Sequence, residues 1–172
     1  ASEHPCFLCA KMRRGHLYTE AQKRGCNKIA LGHHYDDAIE TVLMGIIYGG
    51  QVQAMLPRVK AKNYAGMELI RPLYLTREKA VQAWADFCGL TFLPCDCPAK
   101  TLESDTKRAE IKALIASLAA GNQQIEANIL NAVKNVDTAT LIGWRAETGE
   151  DRLHASPLKR IQKRGKTCHV PS

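Results

Sequence analysis

The ten residues from Gly32 to Thr41, GHHYDDAIET, hold the densest set of chemistry-bearing side chains in the sequence and follow directly on the short apolar run Lys28 to Leu31. A glycine at a strand end lets a ligand come close to the backbone, and the amides opening the next helix can receive a phosphate. Gly32 and His33 are therefore candidates for binding a nucleotide cofactor. Asp36 and Asp37 offer the carboxylate oxygens that magnesium takes, and they could equally orient the nucleotide. A plainer reading has Asp36 capping the helix that follows and His33 as a loop residue without a task.

Cysteines are the second source of chemistry, at Cys6, Cys9, Cys26, Cys88, Cys95, Cys97 and Cys168. An odd count argues against a complete disulfide framework, and clustered thiols in a reducing compartment are more often metal ligands or redox groups. Cys6 and Cys9 open a helix whose first turns carry Lys11, Arg13 and Arg14, a setting that favours thiolate. This CxxC reads as half a zinc site, a redox dithiol, iron–sulfur ligation or two small core residues. Cys95 and Cys97, each beside a proline, shift the balance toward metal: three thiolates from two segments suit an iron–sulfur cluster, and four suit zinc. Cys26 and Cys88 sit at helix ends and are expected to be buried packing residues. Cys168-His169 is a weaker metal pair, and His16 and His154 are expected at the surface.

These groups need elements to position them. A helix is predicted over 10–25, with Met12, Leu17 and Ala21 near helical spacing and Gly25 as its stop. A buried strand follows over 28–32, then the polar loop, then a helix over 38–48. That order is what a parallel α/β sheet produces, with the polar cluster at the carboxyl edge of the strand. Residues 51–66 read as a loop or β-ribbon and 67–71 as a strand stopped by Pro72. Thr76 is the expected N-cap of a helix over 77–88, whose Ala80, Val81 and Trp84 share a face, with Trp84 in the core. A short strand is expected at 90–93, and helices at 104–118 and 123–136.

At 172 residues the chain is long enough for one packed domain, and 24 Lys and Arg against 17 Asp and Glu give a net charge of +7. With pI near 9.1 and mean hydropathy −0.25, the composition excludes disorder, collagen and membrane spanning. Its basic balance is compatible with RNA. No apolar run approaches the roughly 20 residues that cross a bilayer. A cytoplasmic protein without membrane contact is expected, with residues 1–149 as the folded domain and 150–172 as a loosely ordered basic tail whose cations would add phosphate attraction.

Five stretches, PCFLCAKMRRGHLY, KIALGHHYDDAIETVLM, YGGQVQAMLPR, ELIRPLYLTREK and FLPCDC followed by Lys107-Arg108, resemble in order the PP-loop ATP pyrophosphatases that place sulfur in tRNA, above all the tRNA 2-thiocytidine synthetases. The resemblance implies an α/β fold, a parallel sheet with flanking helices. It implies a tRNA thiolase that adenylates a pyrimidine carbonyl with ATP and Mg2+ before sulfide displaces AMP. It also implies a [4Fe-4S] cluster on Cys6, Cys9 and one later cysteine, with one iron free to carry sulfur. Counting back without a gap from Arg108 favours Cys97 as the third ligand; matching the family's Pro-Cys favours Cys95. The ungapped count is the one adopted. Asp37 and Asp36 match the family's essential acidic pair, and Arg13 matches a basic position placed to meet phosphate or substrate.

Members of that family begin with a strand and SGGxDS, and no such string occurs in these residues. The sequence is therefore expected to be the later portion of a PP-loop domain, inactive by itself, rather than a paralogue that lost nucleotide activation. A non-catalytic zinc- or cluster-binding RNA module and a PP-loop enzyme with another sulfuration target are the alternatives. The sulfur donor would be a cysteine desulfurase or sulfide, and a homodimer is compatible with the sequence.

Overall fold

The computed structural model describes residues 5–92, 103–145 and 151–153, with side chains from 8–92 and 107–144. Cys95 and Cys97, the side chain of Cys6, His154 and the Cys168-His169 pair lie outside the described residues. By contacts the chain divides into residues 1–133 and 134–172.

Helix α1 (Pro5–Lys23) starts at a proline, whose fixed φ suits a first helical position. It ends where expected, because Gly25 takes φ +70 while its amide donates to Gln22 and that of Cys26 to Ala21. Its inward face differs from the predicted one. Met12 and Leu17 are exposed, and the buried residue is Tyr18, stacked on Tyr64 with ring centroids 4.6 Å apart.

Strand β1 (Lys28–Ala30) leads through α2 (Tyr35–Ile47) to β2 (Arg58–Lys60) and β3 (Glu68–Ile70), then α3 (Glu78–Phe87), α4 (Glu103–Gly121) and α5 (Ile125–Ala132). The sheet order is β1-β3-β2: β1 and β3 run parallel, as the α/β pattern requires, and β2 returns antiparallel to β3. β1 is shorter and less buried than expected, with only Ile29 half-covered. The loops after the two parallel strands meet where the Tyr35 amide donates to the Thr76 carbonyl at 2.9 Å. That junction carries the polar cluster to the carboxyl edge of the sheet.

The main core is helical. Ala38 and Ile39 of α2, Ile111 and Ile115 of α4 and Leu130 of α5 close on one another, with Tyr35, Leu43 and Tyr74 at the margin. Ile111 and Ile115 are one turn apart on α4, and Arg108 lies a turn before Ile111 on the same face.

Several local expectations are corrected. Trp84 is 61% exposed, and α3 buries none of its residues. Cys26 and Cys88 are exposed. Residues 90–92 form no strand. Helix α5 is shorter than the predicted 123–136. Thr76 does not cap α3, whose N-cap position is Arg77. In the second unit, β4 (Gly143–Arg145) pairs antiparallel with β5 (Asp151–Leu153), at the start of the basic tail.

Because Ile111 is almost fully buried between three helices, Ile111→Ala is expected to cost about 3 kcal/mol through lost contacts and a residual cavity. Leu114→Ala, at a more exposed position of the same helix, should cost well under 1 kcal/mol. Urea unfolding of the two variants checks this, and equal losses would contradict the core assignment.

Candidate active site

The acidic pair sits at the start of α2, and each carboxylate has a different structural task. His34, not Asp36, is the N-cap of α2: its Nδ1 accepts from the Asp37 amide at 3.4 Å, while Asp37 Oδ2 accepts from the His34 amide at 3.0 Å. Asp36 caps another helix. Its Oδ2 accepts the Glu78 amide at 2.7 Å and so closes the first turn of α3. The other oxygen of Asp36 lies 3.1 Å from Arg77 Nη2, and Arg77 forks onto Glu126 of α5 at 2.5 and 2.7 Å while stacking over the Tyr35 ring.

Asp37 Oδ1 accepts from Arg108 Nη1 at 2.9 Å, and the same nitrogen donates to Glu40 Oε2 at 2.9 Å. Burial pushes the Glu40 carboxyl above the ordinary range, with Arg108 opposing that shift. Lys112 of α4 binds Glu78 at 2.5 Å and holds its carboxyl below the ordinary range. Together Asp37, Glu40, Glu78, Arg108 and Lys112 line an open cavity of about 310 Å3. Cations interleaved with carboxylates in this way can meet phosphate oxygens, while among the described residues no group of three or more His, Cys, Asp or Glu is placed to hold a metal ion by itself.

On the other side of the loop, His33 Nδ1 and Arg71 Nε are buried without a hydrogen-bond partner among the described residues. Burial, then the Arg71 charge, lowers the His33 pKa, with Asp37 opposing. A Cβ built on Gly32 would meet nothing within 4 Å, so the space beside the strand end is open to a ligand. Arg13 is one turn after Cys9 on α1, and its Nη2 lies 3.9 Å from the Cys9 sulfur. Cys9 is exposed and free. The structure thus joins Asp36, Asp37, Gly32 and His33 at one sheet edge, and puts Arg13 with Cys9 on α1.

Reading the residues one at a time missed Arg77, Glu78, Lys112 and Glu126. Their partners are 34 to 49 residues away, so no local spacing marks them. Glu40 was inside the motif, and its signal was the i, i+3 step from Asp37, which lets one guanidinium bridge both.

Residues 9–111 match the family profile described as the PP-loop domain. The chain belongs to the PP-loop domain family. Over 137 residues, 80% of this chain, it is 40% identical to a tRNA-cytidine(32) 2-sulfurtransferase of Syntrophotalea carbinolica, 38% to that of Geobacter metallireducens and 36% to that of Coxiella burnetii. The PP-loop chain spans about half the length of these relatives, 52% in each case. A solved U34-tRNA thiolase, NcsA from Methanococcus maripaludis with its [4Fe-4S] cluster, superposes with TM-score 0.61 at 19% identity, over 99% of this chain and 56% of that one. That likeness establishes the shared α/β fold.

Two outcomes follow from this geometry. Removing the shared cation with Arg108→Met strands two carboxylates, one of them buried, and should cost about 2 kcal/mol in urea unfolding. A loss below about 0.5 kcal/mol would mean that solvent satisfies both.

The second concerns pH. His33 in the folded chain lies below its ordinary value of 6.5, so below that pH the unfolded chain binds more protons, and stability is lost as pH falls. Glu40 acts oppositely, since its raised value makes protonation favour the fold in the range above its ordinary 4.5. Between pH 7.5 and 5.5 the natural chain should lose more stability than His33→Gln. Parallel pH profiles would contradict this.

Proposed function

We propose that this chain is part of an ATP-dependent tRNA thiolase acting in the cytoplasm, which replaces a pyrimidine carbonyl oxygen by sulfur. The net change splits ATP into AMP and pyrophosphate, with the displaced oxygen leaving on AMP. The observation that carries the reading is the meeting of Asp37, Gly32 and His33 at the carboxyl edge of parallel strands β1 and β3, where two buried nitrogens have no partner among the described residues. The names of the relatives support tRNA, with cytidine 32 as the target, and the likeness to a cluster-bearing thiolase supports sulfur chemistry.

The residues fit the nucleotide. Gly32 leaves room for close approach, and the unpartnered His33 Nδ1 and Arg71 Nε can bond to it. Asp37 is oriented by His34 and Arg108 and lines the cavity with Glu40, so these two carboxylates would supply protein oxygens to Mg2+, with the nucleotide's phosphates completing its ligands. Arg108 and Lys112 would meet phosphate oxygens there.

The donor chemistry also fits a [4Fe-4S] cluster. Positions 6 and 9 are one turn apart on α1, Cys9 is exposed and free, and Arg13 faces its sulfur. Cys6, Cys9 and Cys97, in preference to Cys95, would hold the cluster, which when bound supplies an iron site free of protein for sulfur. Arg13 would then hold the anionic end of the substrate close to the thiolates. Sulfur would come from a cysteine desulfurase or from sulfide, and a homodimer is compatible with this reading. Among the described residues, no helix is long and apolar enough to cross a membrane.

The experiment uses the whole gene product, reconstituted anaerobically, together with nucleoside analysis of tRNA from cells carrying each variant. Iron and sulfide near four each per chain are expected, with Cys9→Ser colourless. Asp37→Asn should keep the cluster and lower thiolation about a hundredfold or more, as for loss of a positioned catalytic group. Asp36→Ala should cost mainly stability, about 1 kcal/mol, through its lost cap on α3. A colourless protein holding one zinc, or full thiolation by Asp37→Asn, would overturn the assignment.

A further inference from the structure

A second, larger cleft lies between α1 and the β2–β3 ribbon, with a volume of about 690 Å3. Its rim carries Lys11 and Arg14 from α1, Lys60 and Lys62 from the end of β2, and Arg71 from the end of β3. Among the described residues no Asp or Glu lines it, so five cations face one space. Lys11, Arg14 and Lys62 form no ion pair among the described residues, and Glu68, the carboxylate near Lys60, is already held by a bidentate Arg58 at 2.6 and 3.0 Å. Arg71 turns one Nη1 hydrogen to the Leu56 carbonyl, but its Nε is buried without a partner. Burial, then the facing Arg14 charge, lowers the Arg71 pKa. Like charges held this close without carboxylates leave a positive field that an anion would relieve.

The shape narrows the anion. Five cations from three elements, α1 and the ends of β2 and β3, suit a chain of repeated charges better than a single phosphate. The cleft's lining includes buried Leu69 and the stacked pair of buried Tyr18 and Tyr64, so it is partly apolar and aromatic. Sugars and unpaired bases can lie on such a surface while their phosphates meet the rim.

The cleft also adjoins the cysteines. Positions 6, 9, 10 and 13 follow the i, i+3, i+4, i+7 spacing of one face of α1, and Lys11, Arg14, Gly15 and Tyr18 follow it on the neighbouring face. Ala10 borders both, since it lines the cleft and is one turn from positions 6, 13 and 14. The axial distance from Cys9 to Arg14 is about 7.5 Å.

We infer that this cleft holds a single-stranded phosphodiester segment of RNA flanking the nucleotide to be modified, gripping its backbone without reading sequence. The inference rests on the tRNA reading above and names the part of that substrate which α1 and β2–β3 would hold. The test is equilibrium binding of an unmodified tRNA transcript by the whole gene product across a range of KCl concentrations. The natural protein is compared with Lys60→Gln/Lys62→Gln, with Arg14→Gln, and with Lys79→Gln as a control on exposed α3.

The double variant should bind more weakly and lower the slope of log affinity against log salt by about 1.4, at about 0.7 per single-strand phosphate contact. Arg14→Gln should lower it by about half as much, and Lys79→Gln should leave it unchanged. Circular dichroism of the variants separates lost binding from lost fold. Unchanged affinity and slope in the cleft variants, with firm binding by the natural protein, would overturn the cleft and leave the thiolase reading standing. Failure of the natural protein to bind the transcript would remove both. Displacement of tRNA by AMP as effectively as by an oligonucleotide at equal ionic strength would mark a mononucleotide site and overturn the inference.

Discussion

The constraint on which the site depends is that two adjacent carboxylates are pinned in opposite directions. Asp36 reaches away from its own helix to close the first turn of α3, and Asp37 turns back to close α2 while engaging Arg108 of α4. Through Arg77 the first carboxylate is also linked to Glu126 of α5. Four helices thus take their relative positions from side chains one residue apart. An unmatched carboxylate at either place would face the penalty of an unpaired charge, partly shielded from water, so the geometry is strongly specified.

Those polar ties matter because apolar burial is modest. The central cluster consists of a few residues from α2, α4 and α5, and α3 contributes none of the buried ones. Helix α3 is nevertheless held at its first turn by Asp36 and, along its side, by the Glu78–Lys112 pair. Electrostatics therefore does here what packing does elsewhere in the fold. The same arrangement separates the charge: carboxylates and their partners line the α2–α4 cavity, and cations without an ion pair among the described residues line the α1 cleft. A substrate that is both phosphate-bearing and in need of a bound cation would be drawn across that boundary.

How much of this was legible in the sequence depended on how local each cause was. Gly25 stops α1 by its own backbone, and the apolar run ending at Gly32 fixes where the polar loop begins, so both were readable. Thr76 looked like the cap of α3 because a threonine stood at the right place, yet the acceptor came from Asp36, 42 residues away in sequence. No local pattern contains that information. Trp84 failed for a related reason: helical spacing shows that a helix has an apolar face, and it is silent on what lies against that face. Cys26 and Cys88 were judged by residue type, although positions at helix ends are where exposure is greatest.

The position of β1 gives these ties a further role. It is a strand of three residues that, among the described residues, pairs with β3 alone. Its ladder with β3 is continued by the Leu31 amide on the Ile70 carbonyl, and from there the chain enters the motif. Three residues of ladder are a short anchor for groups that must be set to within a fraction of an ångström. What fixes the motif lies after the strand: the Tyr35 amide on Thr76, the His34–Asp37 box and the Asp36 cap all act within four residues of one another. The motif is therefore held by polar ties in its own loop as well as by the ladder. This accounts for a string in which nearly every polar residue between His33 and Glu40 has a structural partner as well as, on the proposed reading, a chemical one.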